Sequence, residues 1–597
     1  MPRPSTSKVE RTASHYHLHR NMTTPRGADA PLETEISEIA SVSPSPSSTE
    51  TASSPTTPPE SPQSLWLRRS VLLSFWAVAL LLGLPVWWKT TAIYRSDLPL
   101  QAMSDWAEGK VAKPVFPLRI AVEAPVLPQD AHSLVQTTQH ALDDLNDFSA
   151  HQLRLMLVDP PSTGNASQQV VIDGTRNTGD DKDTALLVRL IPVETGKTPR
   201  SYLHPYSSTL NVYYAPSHMS SVSSTASPLA AFIARELHSV YAEEQAQLAH
   251  LLSVSGDHNA KVHSLSPDTA AELQRQSTRV LKYAPTYHLT FSLFTSTSIP
   301  SAWDIEAALR QYMAPLLESF STISNFTIDT QVQLYATLSP SFPPPEYDET
   351  MKAWTLRNED LSGFINAAEW PLSPSIAHGP TVNFALYVPE QSKSPLLVKD
   401  SGANSWLVPQ WGGVAILNPS SSEQDATPLS ALSKEALAPA MQTFSNQLIS
   451  LLGLPQTPAS LPLRLSTLAR IRAASLVFSA SSTLGALAQV YQKLPNIPVP
   501  DTVAQSVNRA LDHLQLACDE LRDGRFQGAL EHARIADGEA EKAFFERSMV
   551  GQVYFPDEHK VAVYMPLLGP IGVPLFMAML KEIKNEITAF RRRRSAT

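Results

Sequence analysis

At 597 residues the chain has room for roughly two to four domains and a large buried core. Its formal net charge of −10 argues against a nucleic-acid partner, because domains that grip phosphate carry a basic footprint. A single cysteine, Cys518, excludes an intrachain disulfide, so the folded part must hold by core burial alone.

Residues 1–64 are rich in Ser, Thr and Pro and poor in large apolar side chains, which predicts a disordered tail on the cytoplasmic side. Residues 65–96 carry the first membrane span. From Ser70 to Trp88 there are nineteen residues without a charge, close to the ~20 that cross a bilayer as a helix. Arg68 and Arg69 precede the span, Lys89 follows it, and Trp66, Trp76, Trp87 and Trp88 supply aromatic anchors. No small-residue cleavage site follows, so the span is expected to stay in the mature protein.

Residues 97–454 read as an α/β domain with helices packed on a mixed sheet. LRIAVEAP (118–125) and QLRLMLVDP (152–160) are strand-like, and the stretch between them is helical, with apolar residues at Leu134, Val135, Ala141, Leu142, Leu145 and Phe148. Further strand-like runs are DTALLVRLIPVE, TLNVYYAP, YHLTFSLFT, TIDTQVQLYATL, VNFALYVPE and SWLVPQWGGVAILNP. Two more helices are expected, one through Leu229, Phe232, Ile233, Leu237, Val240 and Tyr241, the other over Trp303–Phe320. The unit YHLTFSLFT–helix–TIDTQVQLYA echoes the first β-α-β unit, but no residues align, so the sequence does not establish a repeat.

Residues 455–553 lose the strand pattern and read as a helical hairpin or small bundle. Val503, Val507, Leu511, Leu514, Cys518 and Leu521 form one apolar stripe, and Gly524 separates it from a further helix. Residues 554–580 hold a second span with its lead-in; Val561–Leu580 gives twenty uncharged residues. Residues 581–597 form a basic tail with Lys581, Lys584 and Arg591–Arg594, read as a topology determinant rather than a localisation signal or an anionic-lipid patch. Two crossings then place both termini in the cytoplasm and the body, from about Tyr94 to Glu558, across the membrane. Asn165-Ala166-Ser167 and Asn325-Phe326-Thr327 are glycan acceptors on that side; Asn21-Met22-Thr23 matches the pattern on the wrong side.

Catalytic constellations do not emerge. There is no G-x-S-x-G, H-E-x-x-H or G-x-x-x-x-G-K-[ST], and Asp180, Asp181 and Asp183 lack the order of a calcium loop. The histidines show no paired ligand spacing, so no metal and no cofactor is expected. Cys518 shares its face with leucines, and His513, five residues away, lies about 140° around the helix. The most specific local pattern is in the second span. Pro566, Pro570 and Pro574 recur along one helix face and free the carbonyls of Ala562, Pro566 and Pro570, while Gly569 and Gly572 form notches for close helix approach. The expectation is a kinked helix packed among others in a complex; relief by 3₁₀ or π adjustment within the chain is the alternative. Trp406 and Trp411, beside Gly412 and Gly413, fit either an interface or the domain's own core.

Three stretches carry a family resemblance: GLPVWWKTTAIYRSDLPL (Gly83–Leu100), WLVPQWGGVAILN (Trp406–Asn418) and VYFPDEHKVAVYMPLLGPIGVPL (Val553–Leu575). Together they resemble PIG-S, a subunit family of the glycosylphosphatidylinositol (GPI) transamidase of the endoplasmic reticulum. The resemblance implies a multisubunit membrane enzyme that cleaves a C-terminal signal and joins the new carboxyl end to a GPI lipid. It implies a nucleophilic cysteine on another, caspase-like subunit, PIG-K, with PIG-T, PIG-U and GPAA as companions, and no catalytic residue on this chain. The resulting expectation is a non-catalytic, two-span lumenal scaffold. The alternatives are a membrane-anchored lumenal hydrolase or transferase, and a lipid- or glycan-binding module.

Overall fold

The computed structural model describes residues 61–91, 93–111, 113–158, 184–194, 198–217, 227–254, 266–340, 342–365, 379–418, 430–495, 497–550 and 557–595. The tail to residue 60, the Asn21 and Asn165 sequons and the cluster Asp180, Asp181 and Asp183 lie outside them.

The first span is helical throughout: α1 (Pro62–Val78) runs through a π turn (Ala79–Gly83) into α2 (Leu84–Thr91). The π turn ends two residues before Pro85, where the ordinary i→i−4 ladder would clash with the ring. After α3 (Leu100–Ala107) come β1 (Phe116–Glu123), α4 (Pro128–Leu145), β2 (His151–Val158), β3 (Thr184–Pro192), β4 (Arg200–Leu203) and β5 (Thr209–Tyr214). They make a five-stranded sheet of order β2-β1-β3-β5-β4, parallel except for the edge strand β4. Phe116, Leu118, Ile120 and Val122 alternate onto one buried face of β1. Helices α5 (Pro228–Val254) and α6 (Pro267–Arg279) follow.

A second half repeats the plan. It contains β6 (Thr286–Thr295), β7 (Ala302–Trp303), α7 (Ile305–Ala308), a π turn (Leu309–Met313), α8 (Ala314–Phe320), β8 (Asn325–Gln333), β9 (Glu346–Asp348) and β10 (Ala353–Leu356). Then come β11 (Thr381–Val388), β12 (Leu396–Val398), β13 (Ser405–Val408), β14 (Gly412–Ile416), β15 (Ala431–Leu432) and α9 (Lys434–Leu452). Its sheet order is β8-β6-β11-β14-β13, again four parallel strands with an antiparallel edge. Each half thus goes strand–helix–strand to one edge, crosses to the other side of its first strand, turns a hairpin and ends in a long helix. The echo in the sequence is a duplicated topology. The second half adds a small sheet of order β12-β10-β9, which covers a core of its own around Phe294, Phe364, Tyr387 and Val414. The opposite face of the larger sheet packs Phe291 and Phe384 against Phe444 of α9, with ring centroids 5.1–6.0 Å apart.

The remaining helices are α10 (Leu461–Lys493), α11 (Asp501–Asp523), α12 (Phe526–Phe544), α13 (Arg547–Val550) and α14 (Asp557–Arg594). Gly524, at φ +79, caps α11 in the left-handed region and lets α12 fold back on it. Among the described residues two helices are long and apolar enough to cross a membrane, Gln63–Gly83 and α10, but half of α10 is buried inside the fold. Its small residues allow close contact: a Cβ on Gly485 would lie 2.4 Å from that of Ala107 in α3. Gly83–Phe576 forms one compact unit with a hydrophobic core common to both sheets and to α10–α12. The chain up to Leu82 and from Met577 onward groups as another unit.

At the centre of the larger unit is a buried ion pair. Arg470 of α10 donates from Nε and Nη2 to the two carboxylate oxygens of Glu244 on α5, both at 2.6 Å, and Thr467 Oγ1 donates to the same carboxylate at 2.6 Å. Both charged side chains are only 2% exposed. Burial alone would raise the Glu244 carboxyl, but the guanidinium overrides it and holds the group far below its ordinary value of 4.5. A depressed carboxyl stabilises the fold above its unfolded pKa, so this contribution is lost as pH falls below about 4.5. Replacing Arg470 by Ala strands a buried charge and is expected to cost about 3–5 kcal/mol. The double variant E244L/R470M, apolar on both sides, should lose clearly less; thermal unfolding of the detergent-solubilised chain measures both.

Candidate functional site

The helices that carry the two apolar stretches meet through charge. Arg69 Nε approaches Glu582 Oε2 at 3.3 Å, Arg68 pairs with the same carboxylate, and a second Arg69 nitrogen pairs with Glu586. Glu582 and Glu586 are one helical turn apart on α14, so two consecutive arginines engage one face of that helix. Arg68 and Arg69 precede the first apolar stretch and Glu582 and Glu586 follow the second, which makes the paired helices antiparallel with these ends together. α14 has 38 residues, about 57 Å at 1.5 Å per residue, and joins the apolar span to the tail as one helix through Arg594.

Pro566, Pro570 and Pro574 all lie inside α14. Gly569 and Gly572 have open space where a Cβ would stand. Asn325 opens β8 and is solvent-exposed, as an acceptor must be. Its sequon partner Thr327 holds the Nδ1 of His288 on β6. Beyond Phe326, the outer strand β8 is open on both faces, with Ile328 and Val332 among the exposed apolar side chains.

Cys518 faces the core of the helical bundle, where burial pushes its thiol up to about 11, the reverse of an activated nucleophile. His513 turns instead to His532 of α12, Nδ1 to Nδ1 at 3.0 Å. Trp406 packs edge-on against Phe364 at 5.1 Å, within the second core. The two glycines after Trp411 serve the same packing. A Cβ on Gly412, at φ +153, would meet the Asn383 carbonyl at 1.8 Å, and one on Gly413 would meet Gln447 Oε1 at 1.9 Å. Gln447 of α9 donates to the Trp406 carbonyl at 2.9 Å and so fixes the β13–β14 hairpin against the helix.

The stretch after the first span is anchored firmly. Arg95 donates to the carbonyls of Tyr491 (2.6 Å) and Pro495 (3.2 Å) and stacks 3.9 Å over the Tyr491 ring. Tyr94 Oη donates to Asp501 at 2.6 Å, and Ser96 N bonds to the Val499 carbonyl. The I-Y-R-S of the first motif therefore joins the chain leaving the span to the link between α10 and α11.

A cavity of about 790 Å³ opens between α5, α6, α9 and α10. Its walls include Glu243, Gln247, Arg279, Lys282, Arg464 and Arg472. Beyond arginines at positions 464 and 472, two turns apart on one helix, the amino-acid pattern does not point to it.

The family model for phosphatidylinositol-glycan biosynthesis class S protein matches residues 74–589. The chain belongs to the PIG-S family. Among similar curated proteins are the GPI-anchor transamidase components PIGS of rat and human. Each is 28% identical, over 559 and 542 residues, covering 85% of this chain and 94% of the relative. The GPI transamidase component GPI17 of Saccharomyces cerevisiae is 26% identical over 554 residues, 87% of this chain and 92% of its own. PIG-S likeness thus extends over both apolar helices and the whole α/β and helical body.

The charge contact between the helices is testable. R69C with E586C, in a C518S background, should be joined by a short bis-maleimide in membranes, and neither single variant should give the linked peptide. Mass spectrometry of the digest identifies the cross-link.

Proposed function

We propose that the chain is the non-catalytic scaffold subunit of a GPI transamidase, which attaches GPI anchors to the C-terminus of precursor proteins. The observation that carries this is the match to named transamidase components over 85% of the chain, spans and body together. The subunit sits in the endoplasmic reticulum membrane with both termini cytoplasmic and the body lumenal. The antiparallel pairing of the two helices beside the basic tail supports that topology. PIG-K carries the catalytic cysteine, and PIG-T, PIG-U and GPAA complete the assembly. The buried, unreactive Cys518 agrees with chemistry on another subunit. The open notches at Gly569 and Gly572, and the carbonyls freed by Pro566, Pro570 and Pro574, suit helices of those partners in the bilayer.

Purification from mild detergent tests the reading. The tagged chain should recover a caspase-like subunit, and replacing the three prolines by leucine should lower that recovery severalfold. A chain purified alone that turns over substrate would overturn the assignment. Lumenal placement is checked by glycosylation: N325Q should remove one endoglycosidase-sensitive mobility step, and external protease on sealed microsomes should leave the body intact.

A further inference from the structure

The cavity between α5, α6, α9 and α10 is basic. Arg279, Lys282, Arg464 and Arg472 stand in its walls against one acid, Glu243. That acid already accepts from the Gln456 N–H (3.0 Å), the Thr457 N–H (2.7 Å), the Thr457 hydroxyl (2.5 Å) and the Gln247 amide (3.2 Å). Lys282 is held by Glu541 at 2.5 Å. Arg464 feels the Glu243 charge without touching it, and among the described residues neither Arg464 nor Arg472 makes an ion pair. Arg464 Nε donates to the Pro455 carbonyl at 2.5 Å and Arg472 Nη2 to the Leu452 carbonyl at 2.8 Å. The two guanidiniums, starting two turns apart, therefore converge on the single turn Leu452–Pro455. Gly453 makes that turn at φ +74, where a Cβ would press on the Val280 methyls at 3.0 Å. Burial pushes both arginines below their ordinary pKa, so desolvation of each charge is incompletely offset.

Two convergent guanidiniums with unused N–H groups fit an anion, and Arg suits phosphate geometry. A bare phosphate would leave most of about 790 Å³ empty. The remaining polar wall is amide-rich, with Gln247, Gln274, Gln410, Gln456 and Asn446, groups that both donate to and accept from hydroxyls. Leu251, Leu468 and Ile471 supply an apolar face for ring C–H groups. We infer that this cavity binds a phosphorylated sugar or cyclitol, its phosphate between Arg464 and Arg472 and its hydroxyls on the amides. The same chemistry belongs to a soluble sugar phosphate and to the head group of a phosphoglycolipid. In the second case the site deepens the transamidase reading by giving this subunit a hold on the glycolipid, and it rests on that reading.

Calorimetric titration of the full chain in mild detergent tests it, with inositol 1-phosphate and mannose 6-phosphate as probes. At least one should bind saturably, and inositol, mannose and inorganic phosphate should each bind at least about tenfold more weakly. R464Q should weaken binding by about tenfold or more through loss of charge-assisted bonds. S450W, at an exposed wall position of α9, should block it sterically while leaving both arginines in place. Melting curves identify any variant that fails to fold, and the other then carries the test. Competition by phosphatidylinositol in mixed micelles would support the glycolipid source, its failure a soluble phosphate, and the site stands in both. No binding of either probe, equal binding of phosphate alone, or unchanged binding by both variants overturns the proposal. So does tighter binding of a peptide carboxylate to the same site. Titration uses the chain alone, so failure to recover partner subunits would sink the transamidase reading without touching this result.

Discussion

Helix α10 is positioned by one guanidinium. Arg470 is fully buried, and its charge is met by Glu244 on α5, the helix that closes the first α/β half. Around the pair stand Thr467 from the same helix and His151 at the start of β2, whose Nε2 lies 3.6 Å from the carboxylate. Such a pair gains little over an apolar contact of the same shape, but any slip of α10 against α5 would expose an unpaired charge to the core. It therefore acts on register more than on stability. α3, α12 and the first half all pack on the same helix, so their positions depend on that register. The chain that leaves the first apolar helix is tied in as well, through Arg95 and Tyr491 at the far end of α10.

One helix thus carries arginines of two kinds. Arg470 has its own carboxylate; Arg464 and Arg472 have only backbone carbonyls. All three lost hydration on folding, and among the described residues a carboxylate pairs with one of them, Arg470. Six and two residues separate the outer pair from Arg470, so they point about 120° and 160° away from it at 3.6 residues per turn. The register that the buried pair sets also aims the other two into the cavity.

Much of the fold was legible in the sequence. Apolar runs named the principal strands of both sheets, including YHLTFSLFT, which is β6 apart from its first residue. β6, β11 and β14 are buried on both sides, so they read as near-continuous apolar runs. Helix α6 was missed because Leu273 is its one fully buried side chain, too little to set a period. The short strands β4, β9, β10 and β12 fall below the length at which alternation can be counted. The duplication was visible only as an echo, since topology survives without shared residues and strand order is not written in any local pattern. In the tail, attention to Lys and Arg, which decide orientation, passed over Glu582 and Glu586, which make the helix contacts. The cavity was not legible because its arginines meet a turn that only the tertiary fold brings to them.

The duplicated sheets also bear on where function can sit. In open parallel α/β sheets, ligands enter beyond the carboxyl ends of the strands, where the chain reverses its direction of winding. Here that point lies between β1 and β3 in one half, and between β6 and β11 in the other. In the first, Glu123 at the end of β1 stands in register with Arg189 of β3, and the two pair at 2.7 Å. In the second, Ser296 gives both its N–H and its hydroxyl to the Val388 carbonyl, each at 3.2 Å, and buried Thr295 donates to the Thr297 carbonyl. Both crevices are occupied by the chain's own polar groups. The N–H groups that Arg464 and Arg472 leave over lie instead where the long helices that follow each half come together with α10. A site there depends on the two halves and the bundle being joined, so it exists only in the whole folded body.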